Sequence, residues 1–299
     1  MNGIIVVNKP KDHTSFDVIA ILRKKLGQKK IGHMGTLDPM ATGVLPILLG
    51  STAKFQIFTE ENEKEYIAEI IFGLTTTTWD IFGEKIEEKE TKVSKKDLTE
   101  ILPKFTGKIM QIPPMFSAIK KNGVKLCDLA RKGKEIEREA REIEIKKLEI
   151  LDFNEEKQTA KLKILCSKGN YIRSLCHEIG AALGAGACMG ELTRTLSNSF
   201  KLEESTDLEK IKNMELNEII ENLVIPTDRL FKNNRAVNVS EEQAKMFKNG
   251  IAMKMKLLNI GEEFEDGEIL KIYQDKKFIG LGKYNFSEKI IKYLKAENE

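Results

Sequence analysis

Residues 32–46 read Gly32-His33-Met34-Gly35-Thr36-Leu37-Asp38-Pro39-Met40-Ala41-Thr42-Gly43-Val44-Leu45-Pro46, the densest group of chemically informative residues in the chain. One carboxylate, that of Asp38, lies between glycines and directly before a proline. The proline restricts Asp38 to an extended backbone, and the glycines allow another segment to approach closely. The segment can therefore hold one carboxylate at the edge of a cleft, although a structural Asp in a Gly/Pro turn has the same pattern.

Four further segments carry side chains of similar interest. They are Asn8-Lys9-Pro10, Lys64-Glu65-Tyr66, Gln111-Ile112-Pro113-Pro114-Met115-Phe116-Ser117-Ala118 and Ser167-Lys168-Gly169-Asn170-Tyr171-Ile172-Arg173-Ser174-Leu175. Only 8 of the 49 basic residues are arginine. Each arginine is therefore a stronger candidate than a lysine for a role that depends on geometry.

In this order along the chain, the five segments resemble the motifs of the TruB-type tRNA pseudouridine synthases, which form pseudouridine at position 55 in the T-loop of tRNA. Residues from about 229 onward resemble the small PUA-like C-terminal module of the bacterial members, so the resemblance covers nearly the whole chain. Asp12 stands where the family usually has glycine, and Phe116 and Cys127 replace common tyrosines. None of these three differences touches the reacting residues, so we expect activity to be retained.

The resemblance implies an α+β fold, with a mixed, largely antiparallel sheet in the catalytic domain and a small β-rich C-terminal domain. We predict a catalytic domain over 1–228, with an RNA-clamping insertion at about 111–141, and an RNA-binding domain over 229–299. Hydrophobic spacing independently predicts a strand over 3–7, a helix from an N-cap at Ser15 to Gly27, and helices over 94–105 and 171–183.

The implied activity is an isomerisation of uridine that needs no cofactor. Asp38 matches the family's nucleophile, and a carboxylate must be ionised to act as one. Arg173 matches the arginine whose planar fork keeps that carboxylate ionised and oriented. A uridine inside a folded loop must be flipped out to be reached, and Tyr66 matches the tyrosine that stacks on the flipped base.

The substrate-binding residues implied by the same resemblance are His33, Tyr171, Leu192 and Lys9. Leu192 also fits a purely structural role in the core. Asp80 matches an aspartate near the cleft, but a turn residue explains it equally well. His13 and His177 have no motif support, and we interpret both as structural.

The insertion is rich in charges of both signs, a pattern that is usually a solvated face. In the family the matching segment clamps the T-arm of tRNA, so we expect RNA contacts from its basic residues. These are Lys120, Lys121, Lys125, Arg131, Lys132, Lys134, Arg138 and Arg141.

The composition of the 299 residues, 41% hydrophobic and 32% charged, predicts a globular protein and excludes a collagen-like, simple coiled-coil or wholly disordered chain. A net charge of +3 does not by itself indicate a nucleic-acid partner. The four cysteines form no C-x-x-C pair, so we expect no metal site and a reducing, cytoplasmic location. The apolar run Ile4–Val7 is too short to span a membrane.

Two other functions compete with this interpretation. A non-catalytic RNA-binding protein of the same fold could act as a tRNA folding chaperone, but it would not need an intact nucleophile with its arginine. A glycoside hydrolase ordinarily needs two carboxylates that flank the scissile bond, and the motif contains one. We expect a monomer that has tRNA as its partner and needs no obligate protein partner.

Overall fold

The computed structural model describes residues 1–59, 63–121, 123–258 and 263–297. Its helices are α1 (Ser15–Leu26), α2 (Lys95–Ile101), α3 (Leu126–Ala130), α4 (Ile172–Ala182), α5 (Leu208–Asn213), α6 (Leu216–Leu223) and α7 (Glu241–Lys248). Its strands are β1 (Gly3–Lys9), β2 (Ile31–His33), β3 (Thr42–Leu49), β4 (Lys64–Phe72), β5 (Leu74–Thr76), β6 (Lys85–Glu88), β7 (Gly107–Gln111), β8 (Lys120–Lys121), β9 (Val124–Lys125), β10 (Arg141–Asn154), β11 (Thr159–Cys166), β12 (Ala187–Ser197), β13 (Phe200–Lys201), β14 (Thr206–Asp207), β15 (Ala236–Asn238), β16 (Met253–Lys254), β17 (Ile269–Gln274), β18 (Lys277–Asn285) and β19 (Ile290–Ala296).

A ten-stranded sheet forms the centre of the molecule, in the order β14-β1-β3-β12-β4-β11-β10-β7, with β13 beside β12 and β2 beside β3. The pairs β1–β14 and β3–β12 are parallel, and the others are antiparallel. The α+β prediction of a mixed, largely antiparallel sheet is therefore confirmed. Strands β3, β12 and β4 are neighbours in the middle of this order. The loops at the ends of these strands therefore lie near the centre of the sheet and away from its edge strands.

The first helix begins one residue earlier than predicted. Thr14, not Ser15, is the N-cap: its hydroxyl accepts from the Asp17 amide, and the Asp17 carboxylate accepts from the Thr14 amide. This leaves the buried Ser15 hydroxyl free for another segment, and it bonds both the amide and the carbonyl of Leu37. The helix ends as predicted, at a left-handed Gly27.

The helix that follows the arginine motif, α4, packs against the sheet through its apolar face. The buried Ile172, Leu175, Cys176 and Ile179 belong to the main core cluster, which confirms the predicted helical spacing. A Cβ on Gly180 would lie 2.3 Å from the backbone nitrogen of Ala187, so only glycine allows α4 to approach β12 this closely.

The insertion leaves the sheet at the end of β7 and returns at the start of β10. These two strands are antiparallel neighbours, with Arg141 opposite Gln111, so the two ends of the insertion lie side by side. Between them the described residues form the β8–β9 hairpin and the short helix α3. The insertion is thus attached at one edge of the sheet.

A second sheet forms near the C-terminus, in the order β15-β17-β18-β19-β16, with its own cluster of buried apolar residues. A further cluster joins this sheet to the first one. In it the Phe55 ring lies 5.8 Å from the Phe278 ring and 6.2 Å from the Phe231 ring, centroid to centroid. The predicted boundary at residue 229 falls inside the 3-10 turn Thr227–Phe231, which is part of this shared cluster.

Candidate active site

The Asp38 loop connects two antiparallel neighbours in the sheet, since β2 ends at His33 and β3 begins at Thr42. Gly43 has a φ of +102°, and a Cβ there would lie 2.2 Å from the carbonyl oxygen of Arg194. Only glycine permits this approach, which lets β3 pair with β12. The glycine of the motif therefore fixes the end of the loop against the centre of the sheet.

Asp38 forms an ion pair with Arg173, the arginine that the motifs predict to orient its carboxylate. Arg173 Nε lies 3.0 Å from Asp38 Oδ2, and the side chains are 6% and 38% exposed, respectively. The guanidinium is thus covered by protein, while one side of the carboxylate stays open. That combination leaves a reactive oxygen accessible to a substrate and keeps its counter-charge fixed.

Besides the Asp38 loop, Arg173 is held by groups from two other parts of the chain, the insertion and the turn after β5. Its Nη2 donates to the carbonyl of Phe116 at 2.9 Å, and its Nη1 donates to the carbonyl of Thr78 at 3.2 Å. The same Nη1 lies 3.7 Å from Asp80 Oδ2. A guanidinium carries five donors in one plane, so these partners fix the orientation of the Arg173 plane relative to Asp38.

Asp80, whose role the sequence left open, is both a turn residue and a neighbour of the Asp38–Arg173 ion pair. Its Oδ1 accepts from the Thr78 hydroxyl at 2.7 Å and from the Phe82 amide at 3.0 Å. Its Oδ2 faces Arg173, and the residue is buried. The carboxylate therefore ties the turn after β5 to the arginine that orients Asp38.

Tyr66 lies on β4 in the centre of the sheet, opposite Ile164 on one side and Arg194 on the other. The residue is 6% exposed. Burial raises the pKa of the phenol to about 12, although the Arg194 charge acts in the opposite direction. The phenol is therefore protonated at neutral pH.

Arg194 is a component of the site that the sequence analysis missed. Its side chain is fully buried; Nε donates to the Val44 carbonyl at 2.7 Å and Nη2 to the Gly35 carbonyl at 3.0 Å. It thus holds the chain on both sides of Asp38 through buried hydrogen bonds. Burial lowers its pKa, and the neighbouring Tyr66 opposes that shift. The scarcity of arginine, together with the segment Glu191-Leu192-Thr193-Arg194, was the signal that could have revealed it.

Lys9 lies under the same loop with no exposed surface. Its ammonium donates to the carbonyls of Pro10, His13 and Pro39, at 2.8, 2.6 and 3.1 Å. Burial lowers its pKa from 10.5 to about 8, partly offset by the charge of Asp38. These contacts fit a lysine that anchors the residue after Asp38 better than one that touches substrate. Asp12 adopts a left-handed φ of 63°, so the turn is formed without glycine.

The remaining predicted binding residues lie around the cleft in different environments. His33 is half-buried, and burial lowers its pKa, which favours a neutral imidazole. The amide of Tyr171 donates to Gln111 Oε1 at 2.9 Å, while burial raises the pKa of the Tyr171 phenol. Leu192 is 6% exposed and lines the cavity described next.

A small cavity of about 90 Å³ lies beside the Asp38 loop. Met40 and Thr42 line it from that loop, and Phe82 lines it from the turn that Asp80 holds. Phe82 is 57% exposed, and Lys11 Nζ lies 5.7 Å from the centre of its ring. The cavity thus has an aromatic ring and a cation in its lining, beside the loop that carries Asp38.

The described ranges contain no group of three or more His, Cys, Asp or Glu side chains placed to hold a metal ion. They also contain no helix long and apolar enough to cross a membrane. The predicted site residues that come together directly are Asp38 and Arg173, with Tyr66 beside Arg194 and Lys9 beneath the loop.

Two solved structures share the fold of this chain. One neighbour is described as an H/ACA RNP bound to a substrate RNA containing 2'-deoxyuridine; its TM-score is 0.71 at 23% identity, over 99% of this chain and 84% of that chain. A Cbf5-Nop10-Gar1 complex matches with a TM-score of 0.71 at 24% identity, over 99% and 84% of the two chains. Identities this low show a shared fold.

Sequence relatives are much closer. A tRNA pseudouridine synthase B of Clostridium tetani is 44% identical over 296 residues, which cover 98% of this chain and 100% of the relative. The enzyme of the same name from Alkaliphilus oremlandii is 39% identical over 295 residues, 99% and 97% of the two chains.

Two family profiles match adjacent parts of the chain, which together span residues 23–232. The profile for the TruB family pseudouridylate synthase N-terminal domain matches residues 23–172, and the tRNA pseudouridylate synthase B C-terminal domain matches residues 173–232. The division falls directly before Arg173, so each profile contributes one member of the Asp38–Arg173 pair. With full-length relatives at about 40% identity, the chain belongs to the TruB family of pseudouridylate synthases.

Proposed function

We propose that this chain converts the uridine at position 55 in the T-loop of tRNA to pseudouridine, with Asp38 as the nucleophile. The ion pair between Asp38 and Arg173 carries the proposal, because its carboxylate is open to the cleft while its guanidinium is 6% exposed. Reacting groups need this asymmetry: one partner must reach the substrate, and the other must keep its place.

The reaction breaks the C–N glycosidic bond of uridine and joins C5 of the same base to the same ribose carbon. The carboxylate of Asp38 forms a transient covalent bond, at the sugar or at the base, and is free again in the product. C5 loses its proton when it takes the ribose, and N1, which has given up the ribose, gains one, so the product is an isomer of the substrate. Arg173 stays charged throughout and orients the carboxylate.

Tyr66 provides a flat face for the flipped base at the bottom of the cleft. Because its pKa is raised to about 12, it acts as a neutral phenol and not as a phenolate base at neutral pH. Its position opposite Arg194 keeps the ring fixed relative to the Asp38 loop, since Arg194 also holds that loop.

The target RNA must be held around the cleft by groups outside it. We propose that the basic side chains of the insertion and the exposed lysines of the C-terminal sheet contact its phosphates. On that sheet a cavity of about 280 Å³ is lined by Lys283 and Lys292. The protein would act as a monomer in the cytoplasm, with residues 229–299 extending the RNA footprint.

The direct test is to incubate purified protein with an unmodified T-arm stem-loop and to map pseudouridine by position. We expect modification at the T-loop uridine only, and none with Asp38→Asn. The chaperone alternative predicts a different outcome: wild type would speed tRNA refolding without forming pseudouridine. Refolding assays with Asp38→Asn separate the two activities, because that variant keeps the RNA-binding surface.

The role of the C-terminal sheet needs surface substitutions and not truncation. Removing residues 229–299 would uncover Phe55, which packs on Phe278, and would perturb the catalytic domain itself. We expect the double variant Lys283→Gln/Lys292→Gln to raise KM for full-length tRNA more than for an isolated T-arm. Lys245→Gln, which removes an exposed charge on α7, is the matched control. Equal effects from both variants would contradict a specific RNA surface at the cavity.

A further inference from the structure

The only tryptophan of the chain, Trp79, lies between two elements that the catalytic site must keep in register. The His177 ring from α4 stacks on it, with the centroids 4.6 Å apart and the planes within 6°. The Arg138 guanidinium from the insertion lies over the same indole, 5.6 Å from its centre. One aromatic side chain thus connects the insertion to the helix that carries Arg173.

Burial separates Arg138 from the other charges of the insertion. Its side chain is 15% exposed, while that of Arg131 is 72% exposed. The Nε of Arg138 and the Nδ1 of His177 are both buried without a hydrogen-bond partner. Each group has one other polar partner: Arg138 Nη2 donates to Glu135 Oε1 at 3.1 Å, and the His177 ring bonds the backbone of Ala187. Stacking on the indole is the contact that the two groups share.

The backbone of Trp79 supplies a second observation. Its φ is +62°, a left-handed conformation that a bulky side chain rarely adopts and that other contacts must stabilise. Its carbonyl accepts from the Met189 amide of β12 at 2.9 Å. The structure thus holds a tryptophan at a position that glycine would occupy without strain.

The neighbours of Trp79 are the groups that position the catalytic arginine. The carbonyl of Thr78 accepts from Arg173, and Asp80 faces the same guanidinium. His177 lies one helical turn after Arg173 on α4, so the two share a helix face. The insertion also reaches Arg173 directly, through the carbonyl of Phe116. A shift of the indole would therefore move two of the partners that orient Arg173.

We propose that Trp79 is a positioning residue, clasped by Arg138 and His177, which makes the orientation of Arg173 depend on the docking of the insertion. The inference deepens the proposed function and rests on it. With the insertion docked as it is in the structure, Arg138 covers the indole and the turn 78–80 is held in place. When the insertion undocks, Arg173 loses part of its support, so Asp38 is fully oriented only while the insertion is docked.

The test uses the full-length protein with three pairs of variants. Arg138→Gln removes the stacked cation, and Arg131→Gln makes the same charge change at an exposed position of the same insertion. Trp79→Phe keeps an aromatic ring, whereas Trp79→Gly relieves the left-handed backbone but removes the ring. His177→Phe keeps a flat partner, and His177→Ala removes it.

Kinetics on T-arm RNA separate positioning from RNA binding. We expect Arg138→Gln to lower kcat about tenfold at saturating RNA, the scale of one partly buried cation–π contact. Arg131→Gln should change only KM. Trp79→Gly and His177→Ala should lower kcat, and Trp79→Phe and His177→Phe should restore most of it. Equal kcat values for Arg138→Gln and Arg131→Gln would overturn the proposal.

Tryptophan fluorescence gives a readout that does not depend on activity. Because Trp79 is the only tryptophan, the tryptophan emission spectrum of the native protein reports the surroundings of this side chain alone. We expect Arg138→Gln and His177→Ala to shift the emission to longer wavelength, and Arg131→Gln to leave it unchanged. An unchanged spectrum in Arg138→Gln would show that the clasp does not form. If wild type shows the clasp but makes no pseudouridine, the proposed function fails and not the contact.

Discussion

The guanidinium of Arg173 reaches Asp38 from one side and the carbonyl of Phe116 from the other, at 3.0 and 2.9 Å. One buried side chain therefore links the carboxylate at the middle of the sheet to the insertion at its edge.

Asp38→Asn should abolish turnover and leave RNA affinity within a few-fold of wild type. The amide has nearly the same shape as the carboxylate, but it is not an effective nucleophile. Single-turnover formation of pseudouridine and equilibrium binding of the same T-arm RNA measure the two effects. A variant whose rate stays within tenfold of wild type would refute the nucleophile assignment.

Arg173→Lys should lower kcat by at least about a hundredfold, because an ammonium cannot meet Asp38, Phe116 and Thr78 in one plane. The net charge is unchanged, so a loss of activity would reflect geometry. Lys163→Arg, the reverse exchange at a half-buried ion pair with Glu65, serves as the control. Wild-type kinetics in Arg173→Lys would reduce Arg173 to a simple counter-charge.

Arg194→Met should destabilise the protein by about 3 kcal/mol, because it leaves the buried carbonyls of Gly35 and Val44 without a donor. Chemical denaturation gives this free energy of unfolding directly. Arg131→Met, at an exposed position, should change it by less than about 0.5 kcal/mol. A neutral Arg194→Met would mean that the Asp38 loop is held by other contacts.

The pH dependence of stability should carry a contribution from Lys9. Its pKa is lowered to about 8 in the folded protein, against 10.5 for an ordinary lysine. Between about pH 8 and pH 10.5 the unfolded chain binds more protons at Lys9 than the folded protein does. The contribution of Lys9 to the free energy of unfolding therefore rises with pH in this range, and the stability gained in this way is absent below about pH 8. The slope is at most about 1.4 kcal/mol per pH unit.

Lys9→Met should remove that slope, whereas Lys11→Met, at an exposed position, should keep it. Urea denaturation of the two variants and wild type from pH 7.5 to pH 10 provides the comparison, and the difference between curves cancels contributions from other groups. Parallel curves for wild type and Lys9→Met would show that folding does not lower the pKa of Lys9.

Affinity for tRNA should fall steeply with salt, because phosphates are met by lysine and arginine side chains. Measuring Asp38→Asn avoids turnover during the titration. Lys125→Gln and Lys132→Gln, both exposed in the insertion, should each reduce the slope of log K against log salt by about one phosphate contact. A slope that neither substitution changes would exclude the insertion from the RNA interface.

The sequence motifs anticipated the members of the site better than their arrangement. The motifs predict the pairing of Asp38 with Arg173 because both residues lie in recognisable motifs, and apolar spacing predicts helix α4. The roles of Lys9 and Arg194 depend on burial under the Asp38 loop, which arises only when β1, β3 and β12 assemble. Spacing along the chain carries no information on which carbonyls a buried cation will find.

The position of Asp80 illustrates the same limit. Its sequence context fits a turn, and the turn is present, with Asp80 accepting from the amide of Phe82. That its second oxygen faces Arg173 follows from the approach of α4 to β12, which Gly180 permits. A short-range pattern predicted the turn, and a long-range contact gave the carboxylate its second role.

The packing of Phe55 between Phe231 and Phe278 bears on how the protein melts. Neither sheet keeps its apolar surface covered without the other, so partial unfolding of the C-terminal segment would leave aromatic rings in water. Calorimetry should therefore record one endothermic peak whose van't Hoff and calorimetric enthalpies agree, in place of two separate transitions. Limited proteolysis under native conditions should likewise fail to release a stable catalytic fragment.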